Sequence, residues 1–150
     1  MNQIEKWQRD EVIELLTSET AYQEILAGGD LLRARKVASM IYSMTMNTTP
    51  DEGEEMLEIE SILFPQGASR QSEKNDVDIV FNAAKYMAIL VTNDGGSKRQ
   101  PGGILGNAPL LFQRFRVRVM TDEQAVAHVR EKIVDRDSQA RAIARVTGAA

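Results

Sequence analysis

Asp76, Asp78 and Asp94 are the side chains in this chain whose types and spacing are suited to chemistry. Asp76 and Asp78 precede Ile79, Val80, Ala83 and Met87, which recur at helical spacing, so the two acids are expected to open a helix. Residues 88–91, Ala-Ile-Leu-Val, then read as a buried parallel strand that stops at Thr92-Asn93-Asp94-Gly95-Gly96, which puts Asp94 at a strand's C-terminal end. Ligands of open α/β sheets collect at that edge, so acids from the helix start and the strand end are expected to meet there. Two carboxylates about 4 Å apart repel by roughly 4 kcal/mol at an effective dielectric near 20. Such a set is tolerable mainly around a divalent cation, and oxygen-only ligands suit Mg²⁺ or Mn²⁺. A cation of that kind activates water and stabilises phosphoryl oxygens in hydrolysis. Just beyond Asp94, the loop GGSKRQPGGILGN carries five of the ten glycines together with Lys98 and Arg99, two cations able to meet a nucleic-acid backbone. It lacks the GxxxxGK[ST] spacing of a nucleotide-binding P-loop. The plain alternative is a mobile linker.

Composition narrows the chemistry further. The chain has no cysteine and one histidine, His128, which excludes disulfides and thiolate sites and leaves zinc without its usual ligands. A metal must be held by oxygen. A formal net charge of −4 argues against indiscriminate binding of polyanions, while an acidic metal pocket contributes negative charge of its own. With 150 residues and 43% hydrophobic content, one domain with a sizeable core is expected. No apolar run approaches a membrane span and the N-terminus lacks the features of a signal peptide, so the expectation is a cytoplasmic chain without membrane contact.

The elements that must position these acids follow in order. Residues 1–9 suggest a short helix with Trp7 packed on the body, and residues 12–16 a strand stopped by Thr17 and Ser18, which cap a helix from Glu19. Gly28 and Gly29 break that helix. Asp30 caps the next, whose stripe of Leu31, Ala34, Val37, Ala38, Ile41 and Thr45 reads as one amphipathic face, with Met40, Met44 and Met46 near its end. Arg33, Arg35 and Lys36 are read first as a solvated basic flank, and second as an RNA-contacting surface. Thr49-Pro50-Asp51-Glu52 is a capping box opening a helix to about Leu63, with an acidic outer face. Asn107 is expected to cap a short helix, residues 115–120 to form the last strand, and Thr121 with Gln124 to cap a helix carrying His128, read as a surface residue. The charged segment from about 131 to 150 reads as a peripheral helical extension.

An acid opening a helix, a hydrophobic strand closing as LVTND, a variable loop, and a last strand at 117–120 followed by Thr-Asp-Glu resemble the PIN domain over roughly residues 7 to 130. The resemblance implies an α/β fold of three layers, with a mostly parallel central sheet flanked by helices. It also implies Mg²⁺- or Mn²⁺-dependent hydrolysis of RNA, and kinship with the toxins of bacterial toxin-antitoxin pairs. RNA, a cognate antitoxin or other protein, and a second copy of the chain are the partners it suggests. Carried over by position, it makes Glu24, rather than Glu19, the acid on the helix after the second strand. Glu24, Asp78 and Asp94 are then the catalytic set, with Asp76 a further metal ligand or an outer acid. Read without the family, Glu24 is a solvated helix glutamate.

The chain departs from the family at its start. PIN domains open with a hydrophobic strand ending in an acid, typically Asp-x-Asn, whereas only six polar-leaning residues precede Trp7, and Asp10 lies before the second strand. The segments at 12–16 and 88–93 are expected to flank an empty central position, closed by direct pairing or by dimerisation, with weak or absent nuclease activity. The alternative is a catalytically degenerate PIN-like protein that acts as a protein-interaction module through its Met-rich and acidic helices.

Overall fold

Five helix starts are set by side chains that satisfy otherwise orphaned backbone N–H groups. In the computed structural model, which describes residues 2–40, 42–44 and 48–148, Asn2, Ser18, Asp30, Thr49 and Thr121 accept hydrogen bonds from the first turns of α1 (Gln3–Arg9), α2 (Glu19–Ala27), α3 (Leu31–Met40), α4 (Pro50–Leu63) and α8 (Asp122–Thr147). Asn2, Thr49 and Thr121 form full capping boxes with Glu5, Glu52 and Gln124. The remaining helices are α5 (Gln71–Lys85), α6 (Gly103–Gly106) and α7 (Ala108–Phe115). Among the described residues four strands, β1 (Leu16–Ser18), β2 (Tyr42–Met44), β3 (Ile89–Val91) and β4 (Arg118–Met120), are interspersed with them. The class is α/β, with helix predominant.

The strands form two separate parallel pairs. Leu16, Thr17 and Ser18 of β1 face Tyr42, Ser43 and Met44 of β2, and Ile89, Leu90 and Val91 of β3 face Arg118, Val119 and Met120 of β4. The expectation of one mostly parallel central sheet, with strands at 12–16, 88–91 and 115–120, is corrected to this extent: among the described residues no ladder joins β1 to β3. The first of those strands also lies further along. Residues 11–15 turn instead, with Glu11 at φ 56°, Val12 N–H donating to the Trp7 carbonyl at 2.8 Å and Leu15 N–H to Gln8 Oε1 at 2.6 Å. The stripe from Leu31 to Thr45 is likewise split, because α3 ends at Met40 and β2 begins at Tyr42. Ile41, Thr45 and Met46 lie outside the described residues, as do the side chains of Met40 and Met44.

The core is built by α4 to β4. Ile59 and Leu63 from α4, Val77, Val80 and Phe81 from α5, Ile104, Leu111 and Val117 form one buried cluster, with Leu90 and Val119 of the second strand pair packed on its edge. On the other side Trp7, Ala34 and Val37 are buried, and Lys36 Nζ pairs with Glu5 at 2.6 Å to tie α3 to α1. Helix α8 runs unbroken across the expected division near residue 130, since no Gly or Pro interrupts it. Among the described residues, no helix is long and apolar enough to cross a membrane.

Candidate functional site

Asp94 follows β3 and is fixed by the loop it opens. Its Oδ2 accepts the backbone N–H of Ile104 at 2.9 Å and its Oδ1 that of Gly96 at 3.2 Å, while its own N–H donates to Thr92 Oγ1. The Gly-rich stretch is thus closed on the aspartate. Gly96 and Gly103 touch backbone to backbone at positive φ; a Cβ on Gly103 would lie 2.4 Å from Gly96 N and 2.7 Å from Asp94 Oδ2. Ser97 and Gln100 exchange backbone hydrogen bonds in a tight turn, and Asn107 Nδ2 donates to the carbonyls of Gly103 and Pro101 rather than capping α7. The loop is a hydrogen-bonded unit that aims one carboxylate.

Asp76 comes from the second turn of α5. That helix begins at Gln71, not at the acids, because Glu73 reaches back to accept the N–H groups of Ser69 and Arg70 and so closes its N-terminus. The carboxyl of Asp76 is pushed up to about 6, first by burial, then by the charges of Asp94 and Glu24. The side-chain amide of Gln100 works in the opposite direction, and Glu73 adds a smaller upward push. Glu24 arrives from α2, where its Oε1 accepts a hydrogen bond from Asn75 Nδ2 at 2.7 Å, linking α2 to α5 one residue before Asp76.

Asp78 is not part of this group. Two residues beyond Asp76, it lies about 200° further round the helix. Its carboxyl is raised by burial alone, with no contribution from Asp94 or Glu24. Of the four expected ligands, Asp94 and Glu24 each act on the Asp76 carboxyl, and neither acts on that of Asp78. Among the described residues, no three Asp, Glu or His side chains stand close enough to enclose an ion.

The two loop cations divide in the same way. Arg99 Nε pairs with Glu73 Oε1 at 2.5 Å, and its Nη2 reaches Ser69 Oγ at 2.9 Å and the Gly67 carbonyl at 3.3 Å. Together with the backbone N–H groups of Ser69 and Arg70, this guanidinium holds Glu73 down at about 2. Arg99 thus braces the Gly-rich loop against the start of α5. Lys98, at the tip of the turn, is exposed. His128 lies away from this chemistry in a cleft of about 300 Å³ with Val12, Ile13, Val129, Lys132, Ile133 and Arg136.

One residue of the site had no signal in the sequence. Gln100 is 5% exposed, its Nε2 is buried without a hydrogen-bond partner, and it lies near enough to Asp76 to favour the carboxylate although no hydrogen bond of ordinary length joins them. An uncharged glutamine inside a glycine-rich loop reads as surface; only the Gly96–Gly103 contact folds it inward.

No protein-family model matches this chain, and no curated protein is significantly similar to it.

Proposed function

We propose that this chain is a PIN-like domain acting on RNA phosphodiester bonds, with Glu24, Asp76 and Asp94 closing together around Mg²⁺ or Mn²⁺, since as they stand the three do not enclose an ion. The observation that carries this reading is Asp76: burial and two neighbouring acids keep its carboxyl near 6. Like charges gathered without a compensating Lys or Arg mark a cation site more than a stabilising device. The donors are all oxygen, as a hard divalent ion requires. In the finer architecture we propose, the two parallel strand pairs belong to one layer between helices, with Glu24, Asp76 and Asp94 toward one edge.

When bound, the ion supplies water activation and charge neutralisation at the phosphoryl oxygens. The chain's own part is to aim and to bind. Asp94 is oriented by the Gly96 and Ile104 amides; Asp76 gives up its proton; Glu24 is steadied by Asn75. Lys98 meets the phosphate backbone, and Arg99 acts on it only through the loop that it braces. The test is cleavage of single-stranded RNA with Mn²⁺ by the protein and by Asp94→Asn. Cleavage that the substitution abolishes supports the enzyme; equal background in both removes it.

A second reading, a degenerate PIN-like module that binds another protein, is favoured by a different observation. Leu31 and Leu32 on α3 are 63% and 80% exposed, and Leu57 on the acidic face of α4 is 66% exposed, more apolar surface than those faces need if they meet only water. A second copy of the chain or an antitoxin-like protein would cover such a surface.

A further inference from the structure

We propose that Arg116 and Arg118, held over the exposed ring of Phe112, form a clamp for the phosphates of single-stranded RNA, with the ring as a stacking surface for a base. The inference rests on the reading above for the class of ligand and takes nothing from the metal. Its starting point is a concentration of positive charge in a chain whose formal net charge is −4. The Arg116 Cζ lies 5.6 Å and the Arg118 Cζ 5.9 Å from the centre of the same ring, and Phe112 is 41% exposed. Both arginines are exposed as well. Their neighbour Arg114 is paired with Glu58, but among the described residues neither Arg116 nor Arg118 has an acid within ion-pairing distance.

The backbone brings the three side chains together from two elements. Phe112 and Arg116 stand four residues apart at the end of α7, on one side of the helix, and the Arg116 N–H closes the last turn by donating to the Phe112 carbonyl at 3.0 Å. Val117 is then buried and Val119 packs on the core, so strand alternation turns Arg118 outward, opposite Ile89 of β3. Arg116 itself sits at φ 61°, a left-handed position where glycine is the unstrained residue, so what the chain gains at 116 is the side chain and not the turn. Guanidiniums offer planar donor forks to phosphate oxygens, and an aromatic face between them suits a base rather than a carboxylate, which favours nucleic acid over an acidic protein. Single strands fit because unpaired bases can splay out onto a ring. From Ile89 the chain reaches Asp94 in five residues, at most about 18 Å, so a few nucleotides would join the clamp to the acidic site.

The experiment is fluorescence anisotropy of a labelled single-stranded RNA in EDTA, which removes divalent ions and with them any metal-dependent cleavage. Arg116→Gly guards against misfolding, since it deletes a cation while relieving the left-handed backbone: its Tm should hold or rise as its RNA affinity falls. Combined with Arg118→Gln it should weaken binding about 10-fold and reduce the slope of log K against log salt by about 1.4, the share of two phosphates on a single strand. Phe112→Leu should weaken binding about 10-fold with the slope unchanged. Arg145→Gln, roughly 35 Å along α8 from Asp122, makes the same charge change as Arg118→Gln and should bind as the parent does. Undiminished binding in the double variant, an equal loss in Arg145→Gln, displacement of the RNA by poly-glutamate as readily as by unlabelled RNA, or no RNA binding by the parent protein overturns the clamp. RNA binding that is lost with the clamp, in a protein that cleaves no RNA, supports the clamp and removes the enzyme, so the two readings fail separately.

Discussion

Ile59, Leu63, Val80 and Leu111, contributed by α4, α5 and α7, have no solvent exposure, whereas α2 buries no residue and α3, among its described side chains, buries only Ala34 and Val37. The segment from α4 to β4 is organised around a shared core, and the segment from α1 to β2 meets it where α2 lies against α5, with the Glu24–Asn75 hydrogen bond across that contact. The candidate site spans this divide. Asp76 and Asp94 stand on the well-packed part, Glu24 on the lightly packed one. Precise placement of a ligand requires a rigid support, so two of the acids are preorganised and the third depends on docking of α2 against α5.

The largest test of that difference is in the core. Phe81→Ala, at a side chain 1% exposed, should cost about 3–5 kcal/mol, whereas Val37→Ala should cost about 1–2 kcal/mol, both read from urea unfolding. Equal costs would make the two segments a single cooperative core and dissolve the comparison. The glycines give a smaller contrast. Gly103→Ala combines φ +60° with contacts under 3 Å and should lose about 2–3 kcal/mol together with Mn²⁺ binding, while Gly29→Ala, at φ +75° but with open space around it, should lose about 1 kcal/mol and leave binding alone. Loss of Mn²⁺ binding in Gly29→Ala would show that the first segment governs the site more tightly than its packing suggests.

The smallest effect is electrostatic. Asp76 holds its proton to about pH 6 in the folded protein, against an ordinary value of 3.8. The folded state therefore binds the extra proton between those values, and stability falls as pH rises through that window. Asp76→Asn should match the parent protein below 3.8 and exceed its stability above 6, by about 1 kcal/mol after allowance for solvent screening of a half-buried group. Paired unfolding curves across that range provide the check. A variant no more stable at neutral pH would mean that the acids do not press on one another.

How much of this could be read from the sequence follows the reach of each interaction. Ser18, Thr49 and Thr121 announce their helices because a cap acts on amides two or three residues away. The absence of Gly and Pro between Asp122 and Thr147 likewise foretells one continuous helix, although weak amphipathicity invites a division near 131. Asp94 at the end of β3 was legible from β-branched residues and the glycines that follow. The start of α5 was not, because Arg70 is an unusual N-cap and the closing contacts come from Glu73 and from Arg99 in a distant loop. Strands of three residues carry little pattern of their own, so the residues of β2 read as part of the apolar stripe of α3, and the apolar run at 12–16 reads as a strand ahead of β1. The separation of Asp76 from Asp78 was available in principle from helical geometry. Gln100 was not: its burial depends on two glycines seven residues apart closing against one another.

The central claim, that Glu24, Asp76 and Asp94 are one divalent-cation site, is tested most directly by Mn²⁺ calorimetry on the intact protein and on Asp94→Asn, Asp76→Asn, Glu24→Gln and Asp78→Asn. The expected result is binding by the parent protein that is lost in Asp94→Asn and Asp76→Asn, weakened about 10-fold in Glu24→Gln, and unchanged in Asp78→Asn. Absence of binding by the parent protein, or binding undiminished in Asp94→Asn, would contradict it.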